Sequence, residues 1–249
     1  MPASSESGPL RFPATRQSII EALGAADPAI RTPAFDALVG GYWKPVYKYL
    51  RVARQVPHED AEDLTQDFFA HAFDRDTLAR YDGAKARFRT FLRVCLDRFV
   101  ISAHRARTRQ KRGGGAASVS LDLATVESEV ARDLGMPGWD PEVYFRREWI
   151  RRLFEGALAE TADHCRAKGK VVPLEVFLAA DIDPLGDADR PSYDALAKRF
   201  SLPVTQVTNY LAFVRRVFRR AVLDRIRSVS GSDAEYAAEA RDVLGVDVE

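Results

Sequence analysis

Apolar residues recur at three- and four-residue spacing along most of this chain, and the two-residue alternation of a half-buried strand is missing. This periodicity predicts an all-α fold. The predicted helices are Thr15–Ala25, Pro33–Arg54, His58–Phe73, Ala86–Arg107, Glu142–Ala167, Leu174–Ala180, Ser192–Phe200 and Pro203–Ile226. Within the second of these, Gly40, Gly41 and Pro45 predict a kink or a restart, because proline removes a backbone hydrogen-bond donor.

Three glycines at 113–115 follow a basic helical segment and predict a flexible connection between two parts of the chain. We therefore predict two helical domains joined by a flexible acidic linker, followed by an acidic C-terminal tail. The predicted bounds are 1–112 for the N-terminal domain (with 1–9 disordered), 113–141 for the linker, 142–230 for the C-terminal domain and 231–249 for the tail. For the acidic insertion at 181–189 we predict a solvated loop, with a regulatory contact as the alternative.

Composition and motifs exclude several classes of protein. No apolar run approaches the ~18 residues that span a bilayer, and the N-terminus has neither the basic start nor the apolar stretch of a signal peptide. Cys95 and Cys165 are too few for a disulfide framework, which favours a reducing, cytoplasmic location. The histidines lack metal-ligand spacing and catalytic motifs are missing, so we expect no enzyme, metal site or cofactor. Only the carboxylates at 59–67 support the alternative of a nucleic-acid-processing enzyme.

Charge is concentrated in blocks, although the net charge is only +1. Residues 80–112 hold eleven Lys and Arg against two Asp, and residues 204–227 hold six Arg against one Asp. Acidic blocks occupy 58–76, 121–142 and the tail. Two basic segments kept apart by acidic ones predict two contacts with a polyanion.

The helix predicted over His58–Phe73 turns Glu62, Asp63, Gln66 and Asp67 outward together. Acids in the first turn suit the helix dipole, but this does not account for an acidic strip that continues to Asp67. Because this face would repel nucleic acid, we predict that its partner is a basic protein surface.

The helix predicted over Ala86–Arg107 has an apolar stripe on one side. Arginines lie off this stripe, namely Arg89, Arg93, Arg98, Arg105 and Arg107. A solvated surface is one interpretation of this face. We expect the arginines to lack compensating acids at i ± 4, which favours contact with nucleic-acid phosphates.

Residues 192–211 have the spacing of a helix-turn-helix: Ala197 is small where two helices would cross, Ser201 stands at the usual turn glycine, and Val207 and Leu211 return to the core. Simple packing of two helices is the alternative interpretation. Polar residues that could contact base edges follow the turn, namely Thr205, Gln206, Thr208 and Asn209. Arginines that could contact phosphates come next, namely Arg215, Arg216, Arg219 and Arg220.

The order of these parts resembles a bacterial RNA polymerase sigma factor of the sigma-70 family, extracytoplasmic-function (ECF) type. The resemblance is carried by A-E-D-L-T-Q-D-F-F at 61–69, by R-Y-D-G-A-K-A-R-F-R-T-F-L-R-V-C-L-D-R-F-V at 80–100, and by the arginine-rich C-terminal helix-turn-helix. It covers roughly 33–112 and 146–227. It implies a transcription initiation factor that binds core RNA polymerase and recognises and opens promoter DNA.

The resemblance also implies roles for individual residues. Asp63, Gln66 and Asp67 would bind the clamp helices of the polymerase β′ subunit, and the β subunit is a second expected partner. The residues expected to bind the promoter element near the start site are Arg89, Thr90, Phe91, Arg93, Arg98, His104, Arg105 and Arg107. Those expected to bind the farther element are Thr205, Thr208, Asn209, Phe213, Arg215 and Arg216. It does not identify the residue that captures a flipped base, since 86–107 contains no tryptophan.

Two questions about partners stay open at this level. A free-standing helix-turn-helix regulator that acts without polymerase is the alternative to a sigma factor. An anti-sigma factor or another regulator is a further candidate partner. Charge complementarity predicts that the acidic tail can fold back on a basic segment, whereas a frayed surface helix is the simpler interpretation.

Overall fold

The computed structural model describes residues 19–74, 77–107, 123–134, 140–183 and 190–248. Within these residues the regular elements are helices alone, which confirms the predicted all-α class. The α-helices are α1 (Ile19–Leu23), α2 (Pro28–Val52), α3 (His58–Asp74), α4 (Phe88–Arg107), α5 (Leu123–Leu134), α6 (Pro141–Ala167), α7 (Val171–Phe177), α8 (Tyr193–Phe200), α9 (Val204–Ser228) and α10 (Asp233–Leu244). A 3-10 turn at Leu78–Arg80 precedes α4, and a π-helical turn at Leu178–Ile182 extends α7.

Helix α2 lies at the centre of the fold and runs without interruption through Pro33 and Pro45. The restart predicted near Gly40, Gly41 and Pro45 is therefore wrong. Residues 42–50 are all buried, so that tertiary packing surrounds the helix and offsets the backbone bond that Pro45 removes.

Two clusters of buried side chains form the core. The first surrounds α2 and includes α3, α4, α5, the first half of α6 and the end of α9. The second contains the end of α6, α7, α8 and the first half of α9. Since α6 and α9 contribute to both clusters, the N- and C-terminal parts of the chain pack as one continuous body.

The segment predicted to be a flexible linker contains helix α5, which packs on α2. Val126 and Val130 of α5 are buried, and ion pairs also join α5 to α2. Glu129 accepts from Lys44 at 3.0 Å and from Lys48 at 3.1 Å. The rest of the predicted linker, 113–122 and 135–139, lies outside the described residues, as does the segment 1–9 that was predicted to be disordered.

Lys48 is the most enclosed charge in this arrangement, with a side chain that is 0% exposed. Its Nζ also lies 3.1 Å from Asp133 of α5 and 2.6 Å from Glu148 of α6. Burial by itself would raise the pKa of Asp133, but hydrogen bonds from Lys48 outweigh it and lower that pKa. One ammonium group thus joins α2, α5 and α6.

The acidic tail is ordered from Ser232, whose side chain caps α10 by accepting from the Glu235 N–H at 3.1 Å. Gly245 ends the helix with a positive φ of 65°, the left-handed conformation that favours glycine. Ala240 is buried, so that α10 packs on the body of the protein and is not a frayed surface helix. Among the described residues, no helix is long and apolar enough to cross a membrane.

Candidate nucleic-acid interface

The basic face of α4 is divided into two halves with different surroundings. In the N-terminal half, Arg89 is only 6% exposed and forms an ion pair with Glu239 of α10. Its guanidinium lies 5.3 Å from the centroid of the Trp149 ring of α6. Arg87 forms ion pairs with Glu239 and with Asp242. The sequence placed Arg89 on a solvent-facing surface, and this placement is wrong because α10 and α6 both pack over it.

The first turn of α4 also receives a carboxylate from α10. Glu235 accepts from the Phe88 N–H at 2.6 Å, from the Gly231 N–H at 2.8 Å and from the Tyr81 hydroxyl at 2.7 Å. A negative charge at this position satisfies an unpaired helix N–H and suits the helix dipole. Burial and the Glu235 carboxylate both raise the pKa of Tyr81, which keeps its hydroxyl protonated as a donor.

Helix α6 closes the next turn of α4. Glu142 accepts from the Thr90 hydroxyl at 2.9 Å and from Arg93 Nε at 2.5 Å. Arg93 also donates to Asp97 at 2.7 Å, four residues further along α4. The expectation that these arginines lack acids at i ± 4 is therefore wrong for Arg93, and both Thr90 and Arg93 are already bonded within the protein.

The C-terminal half of α4 faces solvent. Arg98 and His104 are exposed, whereas Phe91 is half-buried against the rings of Tyr81 and Phe88. The side chains of Arg105 and Arg107 lie outside the described part of the structure.

A cavity of about 540 Å³ opens between α3 and α4 beside this half. Its aromatic and cationic lining comes from Phe68, His71, Arg80, Phe91, Arg98 and Phe99. His71 and Phe99 lie with their ring centroids 5.5 Å apart. The sequence analysis missed His71 and Arg80, because the apolar stripe gave no sign that two helices leave a gap at this point.

The acidic face of α3 is arranged as the sequence predicts. Asp63 and Asp67 are exposed, and Gln66 is half-buried with its amide 3.4 Å from Glu62 of the same helix. Leu64, Phe68 and Phe69 on the opposite side are buried, which fixes the rotation of the helix. The face therefore presents carboxylates on a rigid support.

Helices α8 and α9 form a pair joined by a short turn. Ser192 caps α8, and Ser201 ends it with a φ of 53°, the conformation that glycine adopts most easily. Leu202 and Pro203 then lead directly into α9.

The N-terminal part of α9 faces solvent. Thr205, Thr208, Asn209 and Arg216 are exposed, whereas Phe213 is half-buried in the second core cluster. Val207 and Leu211, between the exposed positions, are buried as the spacing predicts.

Arg215 differs from its neighbours on α9 because it is held by the acidic insertion. It donates to both carboxylate oxygens of Asp181, at 2.7 and 2.9 Å, and lies 3.3 Å from the Tyr193 hydroxyl. These hydrogen bonds raise the pKa of Arg215 further above its ordinary value. The contact gives Asp181 a structural role, while residues 184–189 of the insertion lie outside the described residues.

Among the described residues, no group of three or more His, Cys, Asp or Glu side chains is arranged to hold a metal ion. The carboxylates of α3 are strung along one face and do not converge.

Comparison with protein families gives a match within the first part of the chain. Residues 33–143 match the family model described as ECF sigma factor. The match runs from within α2 to the start of α6, which is somewhat less than half of the 249-residue chain. No curated protein and no solved structure matches the chain.

Proposed function

We propose that this chain acts as an ECF sigma factor, docking on core RNA polymerase through α3 and directing the polymerase to promoters through α4 and α9. The match of residues 33–143 to the ECF sigma factor model supports this proposal, because polymerase binding and promoter-specific initiation are what that family implies. The observation that carries the docking assignment is the exposed acidic face of α3, which lies inside the matched segment.

Asp63, Gln66 and Asp67 are the residues proposed to bind the polymerase, with the β′ clamp helices as their partner. Carboxylates on a supported helix suit a basic protein surface, because charge complementarity accelerates encounter and disfavours wrong partners. The same carboxylates repel DNA, so that α3 would stay on the polymerase side of the complex.

The test is a pull-down of core RNA polymerase with the full-length chain. We expect Asp63→Ala combined with Gln66→Ala to abolish binding, with an unchanged helical circular dichroism spectrum. The charge-matched control is Asp163→Ala, which also removes one exposed carboxylate, from α6, and should bind normally. Normal binding by the α3 variant would refute the docking site.

Promoter contact near the start site is proposed for the C-terminal half of α4. Arg98 and His104 are exposed, and the adjacent cavity presents the rings of Phe91 and Phe99. An unstacked base can stack on aromatic side chains, and arginine can hold its phosphate, with stacking contributing about 1–3 kcal/mol per base. We propose that this cavity accepts a base flipped out of the promoter.

Contact with the farther promoter element is proposed for α9. The exposed Thr205, Thr208 and Asn209 lie at the N-terminal end of α9, which we propose to be the second helix of a helix-turn-helix, where base edges in the major groove are reached. Arg216 lies about two turns beyond Asn209 and suits a phosphate.

Run-off transcription with core polymerase on genomic fragments would identify a promoter on which both surfaces can be tested. We expect Arg98→Ala to lower permanganate reactivity of unpaired thymines in the opened promoter, because one arginine–phosphate contact to the melted strand is lost. Arg166→Ala, an exposed arginine of α6, is the control and should have no effect. Tight binding to duplex DNA without polymerase, together with no polymerase binding, would instead indicate a free-standing regulator.

A further inference from the structure

We infer that helix α10 is an autoinhibitory element that closes the N-terminal half of α4 against promoter DNA and leaves the polymerase-docking face open. This inference rests on the proposed function, because it assigns a regulator to the same basic helix. It goes beyond that function by giving the C-terminal tail a role.

The first support is the register of three carboxylates on α10. Glu235, Glu239 and Asp242 are spaced at four and three residues and so lie on one face of the helix. They bind, in order, the first turn of α4, then Arg89 and Arg87 together, then Arg87 again. A guanidinium that is bonded to these carboxylates is not available to a phosphate, so that the two partners exclude each other.

The second support is the chemistry of the contact. Helix α10 packs Tyr236, Val243 and Leu244 against the first core cluster, but it also buries two carboxylates, with Glu235 8% and Glu239 3% exposed. Burying an ion is unfavourable, and pairing offsets this only in part. Burial raises the pKa of Glu239 although Arg89 and Arg87 oppose the change. The contact with α4 therefore depends on ion pairs in addition to apolar packing, and ion pairs are the interactions for which a polyanion competes.

The third support is the way that α10 is attached. It follows α9 through a short connection at Val229–Ser232. A twelve-residue helix is marginal by itself. Release of α10 would leave the central helix α2 in place, because its contacts with α3, α5 and α6 do not involve the tail.

The polymerase-docking face is not covered in the same way. Asp63 of α3 is exposed. The ion pairs of α10 are with α4, with Arg227 of α9 and, through Arg241, with Asp247. The arrangement thus permits polymerase binding while α4 is closed. Displacement of α10 would then expose Arg87 and complete the promoter surface.

The experiment compares two full-length variants with the same change in net charge. The opening variant is Glu239→Gln with Asp242→Asn, which removes the partners of Arg87 and Arg89. The control is Asp233→Asn with Asp247→Asn, whose carboxylates bind Arg227 and Arg241 and do not contact α4. The probe is a fluorescein-labelled single-stranded DNA 20-mer of random sequence, with affinity measured by anisotropy between 50 and 200 mM salt.

We expect the opening variant to bind the DNA roughly tenfold more tightly than the control, with a dependence of log affinity on log salt that is steeper by about 1.4, corresponding to two additional phosphate contacts on a single strand. Equal affinities and slopes for two folded variants would overturn the inference. If the double variant does not fold, Asp242→Asn alone is compared with Asp247→Asn, because both carboxylates are surface groups. Equal binding by this pair would overturn the inference as well.

Pull-down of core polymerase separates this result from the proposed function. The opening variant keeps Asp63, Gln66 and Asp67, so the proposed function predicts that it binds polymerase as the parent chain does. A gain in DNA affinity without polymerase binding would retain the autoinhibitory helix and refute the sigma-factor role. Polymerase binding without a gain in DNA affinity would do the reverse.

Discussion

Substitution of Lys48 by methionine tests whether one buried ammonium group joins α2 to the helices on either side of it. Methionine replaces the aliphatic part of the lysine side chain with an unbranched apolar one and removes the ammonium group. In the parent protein Nζ lies 3.1 Å from Glu129, 3.1 Å from Asp133 and 2.6 Å from Glu148. Lys48→Met therefore leaves three carboxylates close together in a site from which water is largely excluded.

The magnitude follows from which partners stay behind. Removing one member of a buried ion pair costs about 3–5 kcal/mol, because the other charge is left uncompensated. Here Glu129 keeps Lys44 at 3.0 Å, and Glu148 keeps Arg151 at 3.0 Å. Since each remaining carboxylate retains some cationic partner, we expect a loss of about 3 kcal/mol in the free energy of unfolding, at the lower end of that range.

The assay is urea unfolding followed by circular dichroism, repeated between pH 7 and pH 3. Burial would raise the pKa of Glu129, but the hydrogen bonds from Lys44 and Lys48 lower it. The pKa of Asp133 is likewise lowered in spite of burial, by its contact with Lys48. A carboxyl group whose pKa is lowered in the folded state stabilises the protein at pH values above its ordinary pKa. This stabilisation is lost as the pH falls through the lowered pKa. The difference between parent and variant should therefore be largest at pH 7 and shrink below about pH 4.

Lys85→Met is the matched control, because Lys85 is 82% exposed and pairs with Asp82 on the surface. Exposed ion pairs of this kind contribute about 0–1 kcal/mol, so the control should unfold almost as the parent does. A loss below about 1 kcal/mol for Lys48→Met, or a loss independent of pH, would refute the claim that this ammonium group holds α2, α5 and α6 together.

Two further predictions concern stability. Hydrogen bonds from Arg51 lower the pKa of Glu127 from 4.5 to about 2, but solvent screens this partly exposed pair, so Glu127→Gln should cost about 1 kcal/mol at pH 7 and progressively less between pH 4.5 and pH 2, measured by urea unfolding. A cost that stays constant over this interval would contradict the assignment. Ser201 adopts a φ of 53°, so Ser201→Gly should raise the free energy of unfolding by roughly 0.5–1 kcal/mol, and a decrease would show that the Ser201 side chain stabilises the turn.

The helices that the sequence identified best are those with long apolar stripes. The prediction of His58–Phe73 differs by one residue from α3, and Pro203–Ile226 differs by one or two residues from α9 at its ends. In both, buried residues recur on one side of the helix, with Leu64, Phe68 and Ala72 in α3 as an example. Such a stripe can be predicted from the local sequence, because spacing along the chain determines which side chains share a face of the helix.

Helix α5 escaped prediction for the opposite reason. It buries two valines, and the rest of its attachment comes from Glu127, Glu129 and Asp133. Their partners on α2 lie about 80 positions earlier in the chain; Arg51 and Glu127, for example, are 76 positions apart. An acidic segment after three glycines has the composition of a solvated linker unless those distant lysines and arginines are known to face it.

In the candidate site, too, the sequence predicts which side chains share a helix face but does not predict their distant partners. Exposure of Asp63 on α3 and of Thr208 and Asn209 on α9 agrees with the faces that the spacing predicts. The surroundings of Arg89 and Arg215 do not, because Glu239 and Asp181 lie 150 and 34 residues away from them. Periodicity identifies the side of a helix on which an arginine lies, but it does not identify what covers that side.

Blocks of opposite charge in a sequence therefore indicate possible ion pairs with one another before they indicate binding to a polyanion. The block at 121–142 supplies Glu129 and Asp133 to the lysines of α2, and the tail supplies Glu239 and Asp242 to α4. Such ion pairs are easier to break where the acids lie on one short helix attached by a single connection, as in α10, than where they lie between two packed helices. The ion pairs of α10 are consequently the ones that a nucleic acid can displace, whereas the ion pairs around Lys48 belong to the fold itself.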